Sequence, residues 1–287
     1  MENFESVTKH IVVDTSTQRV SRSCVLGGIS LGNYSIAIDS GDSLEVGTAF
    51  HKGLESHFKV PVKYLFFTHT HNDHRGGREA FFDSVFLMSQ KCRENMPKSV
   101  RLSKFAVETF EEKFVLEESD LSVEFIKVGG HSIGFSVAYF PKEKVLFAGD
   151  LFIVGSVNFG LPFMSFYQNK PKRTGNPEEY LVAFELFKKM DLEVIIPGHG
   201  DLVYDPQKFL KTQTAFFNGL KTHFIAAIAE GKTVEEIDMP QLEPIIKAYN
   251  IAEKKKPRSK NIRFLEHYLD TLKTSFYNYY SGKFHQV

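Results

Sequence analysis

The chain has 287 residues, 42% of them hydrophobic, which is enough to bury a large core in one large domain or two unequal ones. Its 35 basic and 35 acidic side chains balance to a formal net charge of +0, so neither a nucleic-acid partner nor an acidic membrane is expected. The two cysteines, Cys24 and Cys92, lie far apart without CxxC spacing, which argues against a disulfide framework and favours a reducing, cytoplasmic location.

Up to about residue 204 the sequence alternates short apolar strands with helices, the pattern of a mixed α/β domain. The first ten residues, MENFESVTKH, lack the apolar stretch of a secretory signal, and no apolar run approaches the length of about 18 residues that a membrane span needs. Helices are predicted over Leu44–Phe58 and 176–190. Strands are predicted at 10–15, 19–28, 34–41, 62–68, 84–89, 122–128, 135–140, 144–150 and 192–200.

The character of the sequence changes after about Pro206, where apolar residues recur at helical spacing. Helices are predicted within 216–228, 242–249 and 262–276. We therefore divide the chain into a catalytic α/β domain over residues 1–205 and a C-terminal helical extension over 206–287. The aromatic residues of the extension are typical of a buried helix face, and a homodimer contact is the alternative.

The segment LFFTHTHNDHRGG, residues 65–77, places His69, His71, Asp73 and His74 at the end of a predicted strand. Alternate strand residues share a face, so the first two histidines can project together while the other two side chains follow in the turn. Imidazole and carboxylate together suit zinc, iron or manganese. We interpret the segment as half of a metal site, although a solvated polar loop is the alternative for this motif alone. The two glycines that follow lack a Cβ, which predicts close packing of the next helix.

Three further ligand-type side chains follow apolar strands, each next to a glycine: His131 in VGGHSIG, Asp150 in LFAGDLF and His199 in IIPGHGD. Asp39 occupies the same kind of position upstream in IAIDSG, where a plain turn role is equally compatible with it. Functional residues concentrate on such loops of a rigid sheet scaffold. The set is large enough for two metals, which one segment could not hold.

In order and spacing, these residues resemble the five motifs of the metallo-β-lactamase superfamily, and the full set fits its glyoxalase II-like, two-metal branch. The resemblance implies an αββα sandwich with two divalent metal ions at one edge of the sheets, zinc being preferred over iron or manganese. The implied roles are as follows: His69, His71 and His131 would hold the first metal; Asp73, His74 and His199 would hold the second; Asp150 would bridge both; and Asp39 would orient a ligand histidine.

The same resemblance implies a hydrolase whose metal-bridging hydroxide attacks the carbonyl of a thioester, ester, lactone or β-lactam. Asp73 would orient the nucleophile and pass a proton, being both ligand and base. The alternatives on this scaffold are a phosphodiesterase or nuclease, which the neutral charge disfavours, and a mononuclear iron persulfide dioxygenase, which His199 disfavours. His71 stands where the flavodiiron pattern has glutamate, and Ile153 stands where lactonases usually have tyrosine. A non-enzymatic, metal-stabilised binding protein ranks last.

The segment 151–177 is long, aromatic and punctuated by glycine and proline. It predicts either a substrate wall or lid beside the metals, or a plain crossover to the next helix. Its cationic residues could bind a substrate carboxylate or form a solvated turn. The expected substrate is a small molecule. The candidate substrate-binding residues are Phe159, Phe163, Tyr167, Lys170 and Arg173.

Overall fold

A computed structural model describes residues 4–16, 24–154, 164–167, 170–173, 175–239 and 262–282 of the chain. Two β-sheets lie face to face, and helices pack on the outer face of each. This is the αββα sandwich that the family resemblance implied, so the fold class is confirmed.

The first sheet has seven strands, and their order in the sheet is their order in the chain. The strands are β1 (Phe4–Ser6), β2 (Ile11–Asp14), β3 (Leu26–Ser30), β4 (Ser35–Ile38), β5 (Val62–Phe66), β6 (Val85–Ser89) and β7 (Val107–Phe110). Neighbours from β1 to β4 pair antiparallel, whereas neighbours from β4 to β7 pair parallel. The parallel half therefore needs crossover connections, and the ligand-type residues after β5 lie in one of them.

The second sheet has five strands. These strands are β8 (Lys113–Glu118), β9 (Leu121–Lys127), β10 (Ser136–Phe140), β11 (Val145–Ile153) and, after a separate hairpin of β12 (Met164–Tyr167) and β13 (Lys170–Arg173), β14 (Val194–His199). From β8 to β11 the pairing is antiparallel, and β14 adds to β11 in parallel. Because β11 and β14 run parallel, Asp150 and His199 emerge at the same edge.

Six α-helices lie in the described part of the chain. They are α1 (Leu44–Phe58), α2 (Asn72–Arg75), α3 (Gln90–Glu94), α4 (Pro177–Lys188), α5 (Pro206–Ala229) and α6 (Ile262–Tyr280). α1 packs on the first sheet through Phe50 and Leu54, while α4 and α5 pack on the second sheet through residues such as Phe184 and Phe217. The helix layers thus close the two outer faces.

The alternation of strand residues assigns them to the layers of the core. In β4, Ile36 and Ile38 belong to the cluster between the sheets, while Ala37 belongs to the cluster beneath α1. Successive side chains of a strand point to opposite faces, and here both faces are covered, so the run from Ile36 to Ile38 is apolar throughout. Such continuous apolar runs made these strands visible in the sequence.

The predicted helix bounds of α1 agree with the structure, whereas several other predictions need correction. The strand after α1 ends at Phe66, two residues earlier than predicted, because the chain turns there toward the metal-site motif. The segment 151–177 is not a continuous loop: it contains the β12–β13 hairpin, paired from Met164↔Arg173 to Tyr167↔Lys170. The predicted helix within 242–249 and residues 19–23 of the predicted second strand lie outside the described residues.

The division of the chain at residue 205 stays a prediction. α5 begins at Pro206, with the Asp205 side chain accepting a hydrogen bond from the amide of Lys208. Its buried residues share one hydrophobic cluster with α4 and the second sheet. Among the described helices, none combines the length and the apolar character required to cross a bilayer.

Glu178 at the start of α4 links the three described helices that cover the second sheet. Its carboxylate lies 2.8 Å from Lys221 Nζ of α5 and accepts a hydrogen bond of 2.6 Å from the Tyr280 hydroxyl of α6. Burial alone would raise the pKa of Glu178, but the hydrogen bonds from Lys221 and Tyr280 outweigh it and the pKa is lowered. The ionised carboxylate therefore stabilises the folded state.

We expect Glu178→Gln to lower the free energy of unfolding at neutral pH by about 1 kcal/mol, since the group is partly exposed. A lowered pKa means that this stabilisation is fully present above the ordinary glutamate value of about 4.3 and is lost as the pH falls through the lowered value. The difference between the two proteins should therefore shrink in acid. Denaturant unfolding at several pH values measures it, with Glu185→Gln on the exposed side of α4 as the control.

Candidate metal centre

The HxHxDH motif lies in the crossover after β5 rather than within the strand. β5 ends at Phe66, and the four-residue helix α2 begins at Asn72, with His71 as its N-terminal flanking residue. His69 and His71 thus converge through a turn, and not because they alternate along a strand. Asp73 and His74 lie in α2 itself.

The first group of ligand-type side chains consists of His69, His71, His131 and Asp150, whose ligand atoms lie within 4.8 Å of one another. The His131 Nε2 atom lies 3.1 Å from His71 Nδ1 and 3.4 Å from Asp150 Oδ2. His69 Nε2 lies 3.7 Å from the same carboxylate oxygen. Three ring nitrogens and one oxygen therefore surround one point.

The second group consists of Asp73, His74, Asp150 and His199, again within 4.8 Å of one another. The Nε2 atom of His74 lies 3.1 Å from Asp150 Oδ1 and 3.5 Å from Asp73 Oδ2. The Nε2 atom of His199 lies 3.5 Å and 3.2 Å from the same two oxygens. The structure thus brings together all seven ligand-type residues that the sequence singled out.

Asp150 belongs to both groups, and its two oxygens divide between them. Oδ2 faces His69 and His131, whereas Oδ1 faces His74 and His199. Ligands at about 2.0–2.1 Å from a tetrahedral cation lie about 3.3 Å from one another. The separations of 3.1–3.7 Å among these atoms match that spacing, so each group has the dimensions of a cation site.

Buried polar atoms that lack a hydrogen bond of good geometry also indicate a cation. In the described part of the chain, His69 Nε2, His74 Nε2 and Asp150 Oδ1 are buried and make no hydrogen bond. Leaving such an atom without a partner costs about 1–3 kcal/mol, more if it is charged. All three atoms point into the two groups. The residues present therefore fit divalent cations, which would satisfy these atoms.

Asp39 contacts Thr68, which directly precedes the motif, and His74 within it. Its Oδ1 accepts a hydrogen bond of 2.9 Å from the Thr68 amide, and its Oδ2 accepts one of 2.8 Å from the Thr68 hydroxyl. The same Oδ2 lies 2.7 Å from His74 Nδ1. This contact leaves the His74 Nε2 atom, which faces Asp150, to bind a cation. Asp39 also has a φ of 60°, a left-handed backbone conformation that suits a turn residue. Its role in orienting a ligand histidine stays a prediction.

The glycines after the motif allow a close approach of two backbone segments. A Cβ on Gly76 would lie 2.1 Å from the Asp42 carbonyl oxygen, and one on Gly77 would lie 2.1 Å from the Ser40 carbonyl oxygen and 2.7 Å from Gly47 Cα. Contacts this short exclude any side chain. Close packing was predicted correctly, but the partner is the loop before α1 and α1 itself, and not the following helix.

The buried charges of the centre stabilise one another. Burial alone would raise the pKa of Asp150, but His74 and His199 outweigh it and hold the pKa well below the usual range. Burial would likewise lower the pKa of His74, yet the Asp150 carboxylate raises it well above its ordinary value. Burial, together with the nearby His74, lowers the pKa of His69 well below its ordinary value. A cation bound beside His74 would displace its proton.

Cys24 and Thr68 are two residues near the centre that the sequence analysis did not assign to it. The Cys24 sulfur lies within 4.8 Å of the Asp39 carboxylate and a ring nitrogen of His74, and burial raises the pKa of its thiol to about 12. Thr68 directly precedes the motif, so its position was a usable signal. Cys24 is distant from the motif in the chain, and nothing in its local sequence points to His74.

The predicted substrate-binding residues fall in the segment between β11 and α4. Phe159 and Phe163 lie outside the described residues. Tyr167 ends β12, and Lys170 and Arg173 begin and end β13, so these three lie on the hairpin. Their part in substrate binding stays a prediction.

Comparisons with known proteins agree with the fold. Residues 29–199, more than half of the chain, match the family model described as "Metallo-beta-lactamase superfamily". The chain therefore belongs to the metallo-β-lactamase superfamily, whose members are largely metal-dependent hydrolases. Its place in the glyoxalase II-like branch stays a prediction.

Solved structures share this fold at low sequence identity. A metallo-β-lactamase from Pontibacter korlensis is 20% identical with a TM-score of 0.55, over 75% of this chain and 98% of that chain. TMB-1 is 17% identical with a TM-score of 0.56, over 75% and 96%. A flavodiiron protein from Giardia intestinalis is 14% identical with a TM-score of 0.54, over 77% and 60%. These likenesses show the fold alone. No curated protein matches the chain.

Proposed function

We propose that the chain is a hydrolase that holds two divalent cations, with zinc as the preferred metal and iron or manganese as alternatives. The observation that carries this proposal is the division of the Asp150 carboxylate between two groups of ligand-type atoms. The proposed first cation would be held by His69, His71 and His131, the second by Asp73, His74 and His199, and both by Asp150.

When bound, such a cation pair lowers the pKa of a water molecule from about 16 toward about 7 and polarises a substrate carbonyl. Residues of the chain orient the nucleophile, accept its proton and orient the cation ligands. Asp73 is the carboxylate of the centre that reaches solvent, with 29% of its side chain exposed. It is our candidate for orienting the nucleophile and accepting its proton. Asp39 holds His74 in the orientation that a ligand needs.

The proposed substrates are small molecules with an electrophilic carbonyl: thioesters, esters, lactones or β-lactams. Three ring nitrogens and a carboxylate in the first group favour a borderline cation such as zinc, which suits hydrolysis of a carbonyl. Asp73 and His199 of the second group and His71 of the first are partly exposed, whereas His69, His74 and His131 are buried. We therefore place the approach of the substrate on the side of His71, Asp73 and His199.

Metal content and activity together test the proposal. The purified protein should contain about two equivalents of divalent metal and should hydrolyse at least one member of a panel of carbonyl substrates. Removal of the metal with a chelator should abolish hydrolysis, and zinc should restore it. Full activity in metal-free protein would refute the proposal.

Further substrates separate the alternative functions on this fold. They are RNA, single-stranded DNA, a nitrophenyl phosphodiester and glutathione persulfide, and oxygen consumption with the persulfide is followed with an oxygen electrode. Cleavage of the phosphodiesters alone would favour a phosphodiesterase or nuclease. Oxygen consumption with a single bound iron would favour a persulfide dioxygenase.

A further inference from the structure

The loop that carries His131 has an unusual backbone conformation. Gly129 and Gly130, directly before it, have φ values of 70° and 92°. Two consecutive residues in the left-handed region make a turn that side chains disfavour, and glycine is also the residue with the most conformational freedom. A turn built from two glycines therefore needs outside contacts to hold His131 in one position.

Glu179 of α4 supplies such a contact. Its Oε2 atom accepts a hydrogen bond of 2.8 Å from the Gly130 amide. The same atom lies 2.3 Å from the position that a Cβ on Gly129 would take, so the carboxylate fills the space left by the missing side chain. The Glu179 side chain thus fits the turn at Gly129 and Gly130 in shape and also accepts a hydrogen bond from it.

The first turn of α4 is itself held firmly. The Asn176 side chain accepts a hydrogen bond of 2.9 Å from the Glu178 amide, which caps the helix, and the Asn176 amide donates one of 2.7 Å to the Gly130 carbonyl oxygen. The buried Tyr180 donates a hydrogen bond of 3.3 Å to the Asp150 carbonyl oxygen. One helical turn therefore contacts both the loop that carries His131 and the strand β11 that carries Asp150.

We infer that Glu179 is a positioning residue for His131. It acts by accepting the Gly130 hydrogen bond and so fixes the turn from which the His131 ring reaches the first group. This inference rests on the proposed function, in which His131 is a ligand of the first cation. Supporting residues of this kind typically contribute about 10- to 100-fold to metal affinity.

Glu179→Ala tests the inference, with Glu179→Gln and Glu178→Ala as matched variants. Glutamine keeps a carbonyl oxygen that can accept the Gly130 hydrogen bond. Glu178 is the neighbouring glutamate of the same helical turn, but it contacts Lys221 and Tyr280 instead of the glycine turn. Zinc affinity is measured by competition with a chromophoric chelator. Hydrogen exchange of residues 128–132 is measured on the metal-free proteins.

We expect Glu179→Ala to weaken the first zinc site by about 10- to 100-fold and to speed hydrogen exchange in the turn. Glu179→Gln should restore both properties in large part, and Glu178→Ala should leave both unchanged. Unaltered affinity and exchange in Glu179→Ala would overturn the inference, as would a failure of Glu179→Gln to restore them. A wild-type protein that binds none of zinc, iron and manganese would instead refute the proposed function.

Discussion

Replacing Asp150 by asparagine is expected to lower hydrolytic activity by at least about 100-fold, the upper end of what losing a supporting residue costs at a metal site. Each Asp150 oxygen faces a different group: Oδ2 lies 3.4 Å from His131 Nε2, and Oδ1 lies 3.1 Å from His74 Nε2. Asparagine keeps the shape but turns one oxygen into an NH2 group, which donates hydrogen bonds and cannot bind a cation. One group therefore loses its Asp150 oxygen whichever way the amide is turned, and the other keeps only a neutral carbonyl oxygen in its place.

Elemental analysis and the hydrolysis rate measure this effect. We expect the bound metal in Asp150→Asn to fall by about one equivalent or more, because the remaining oxygen can serve only one group. Asp191→Asn is the matched control, since the Asp191 side chain is 73% exposed and pairs with Lys144 at the surface. Two equivalents of metal and a normal rate in Asp150→Asn would contradict a shared carboxylate.

Replacing Asp39 by asparagine should lower activity and the affinity of the second group for zinc by about 10- to 100-fold. In the native protein, Asp39 Oδ2 lies 2.7 Å from His74 Nδ1 and favours a proton on that nitrogen, which leaves Nε2 to face Asp150. An asparagine NH2 group in that place would donate a hydrogen bond to Nδ1. His74 would then carry its proton on Nε2, the atom that a cation needs.

The backbone conformation at Asp39 tolerates asparagine, so the substitution changes the side chain without straining the turn. Asp39 has a φ of 60°, a conformation that asparagine and aspartate tolerate better than most residues. Loss of function would therefore reflect the carboxylate and not a strained turn. Zinc titration and thermal unfolding of the metal-free protein separate the two effects, with the exposed Asp83→Asn as the control. Normal zinc affinity in Asp39→Asn would show that the contact does not orient His74.

Much of the fold could be predicted because most strands are buried on both faces. β4, β10 and β11 appear in the sequence as largely apolar runs, and the structure buries them between layers. Strands that the sequence patterns did not predict are more exposed or very short. β8, with the sequence KFVLEE, has exposed and partly exposed residues along most of its length, and β1 has only three residues.

The residue types of the site could be predicted from the sequence, but the contacts that hold these residues in place could not. Most of the ligand-type residues follow an apolar run, although Asp150 lies within β11, and the order of the motifs was visible in the sequence. The contacts that hold them come from distant segments: Asp39 reaches His74, and Glu179 reaches the turn before His131. Such pairings depend on how the layers pack, so no local pattern reveals them.

By itself, the sequence determined the mixed α/β character of the domain and the seven ligand-type side chains, because apolar periodicity and strand ends are local properties. The layered αββα fold was implied by the resemblance of those motifs to the metallo-β-lactamase superfamily. Only the tertiary structure decided that the two oxygens of Asp150 face different groups. It also decided that the glycines after the motif pack against the loop before α1 and that Glu179 fills the space beside Gly129. These are contacts between segments far apart in the chain, and only the packing of two sheets and their helices brings them together.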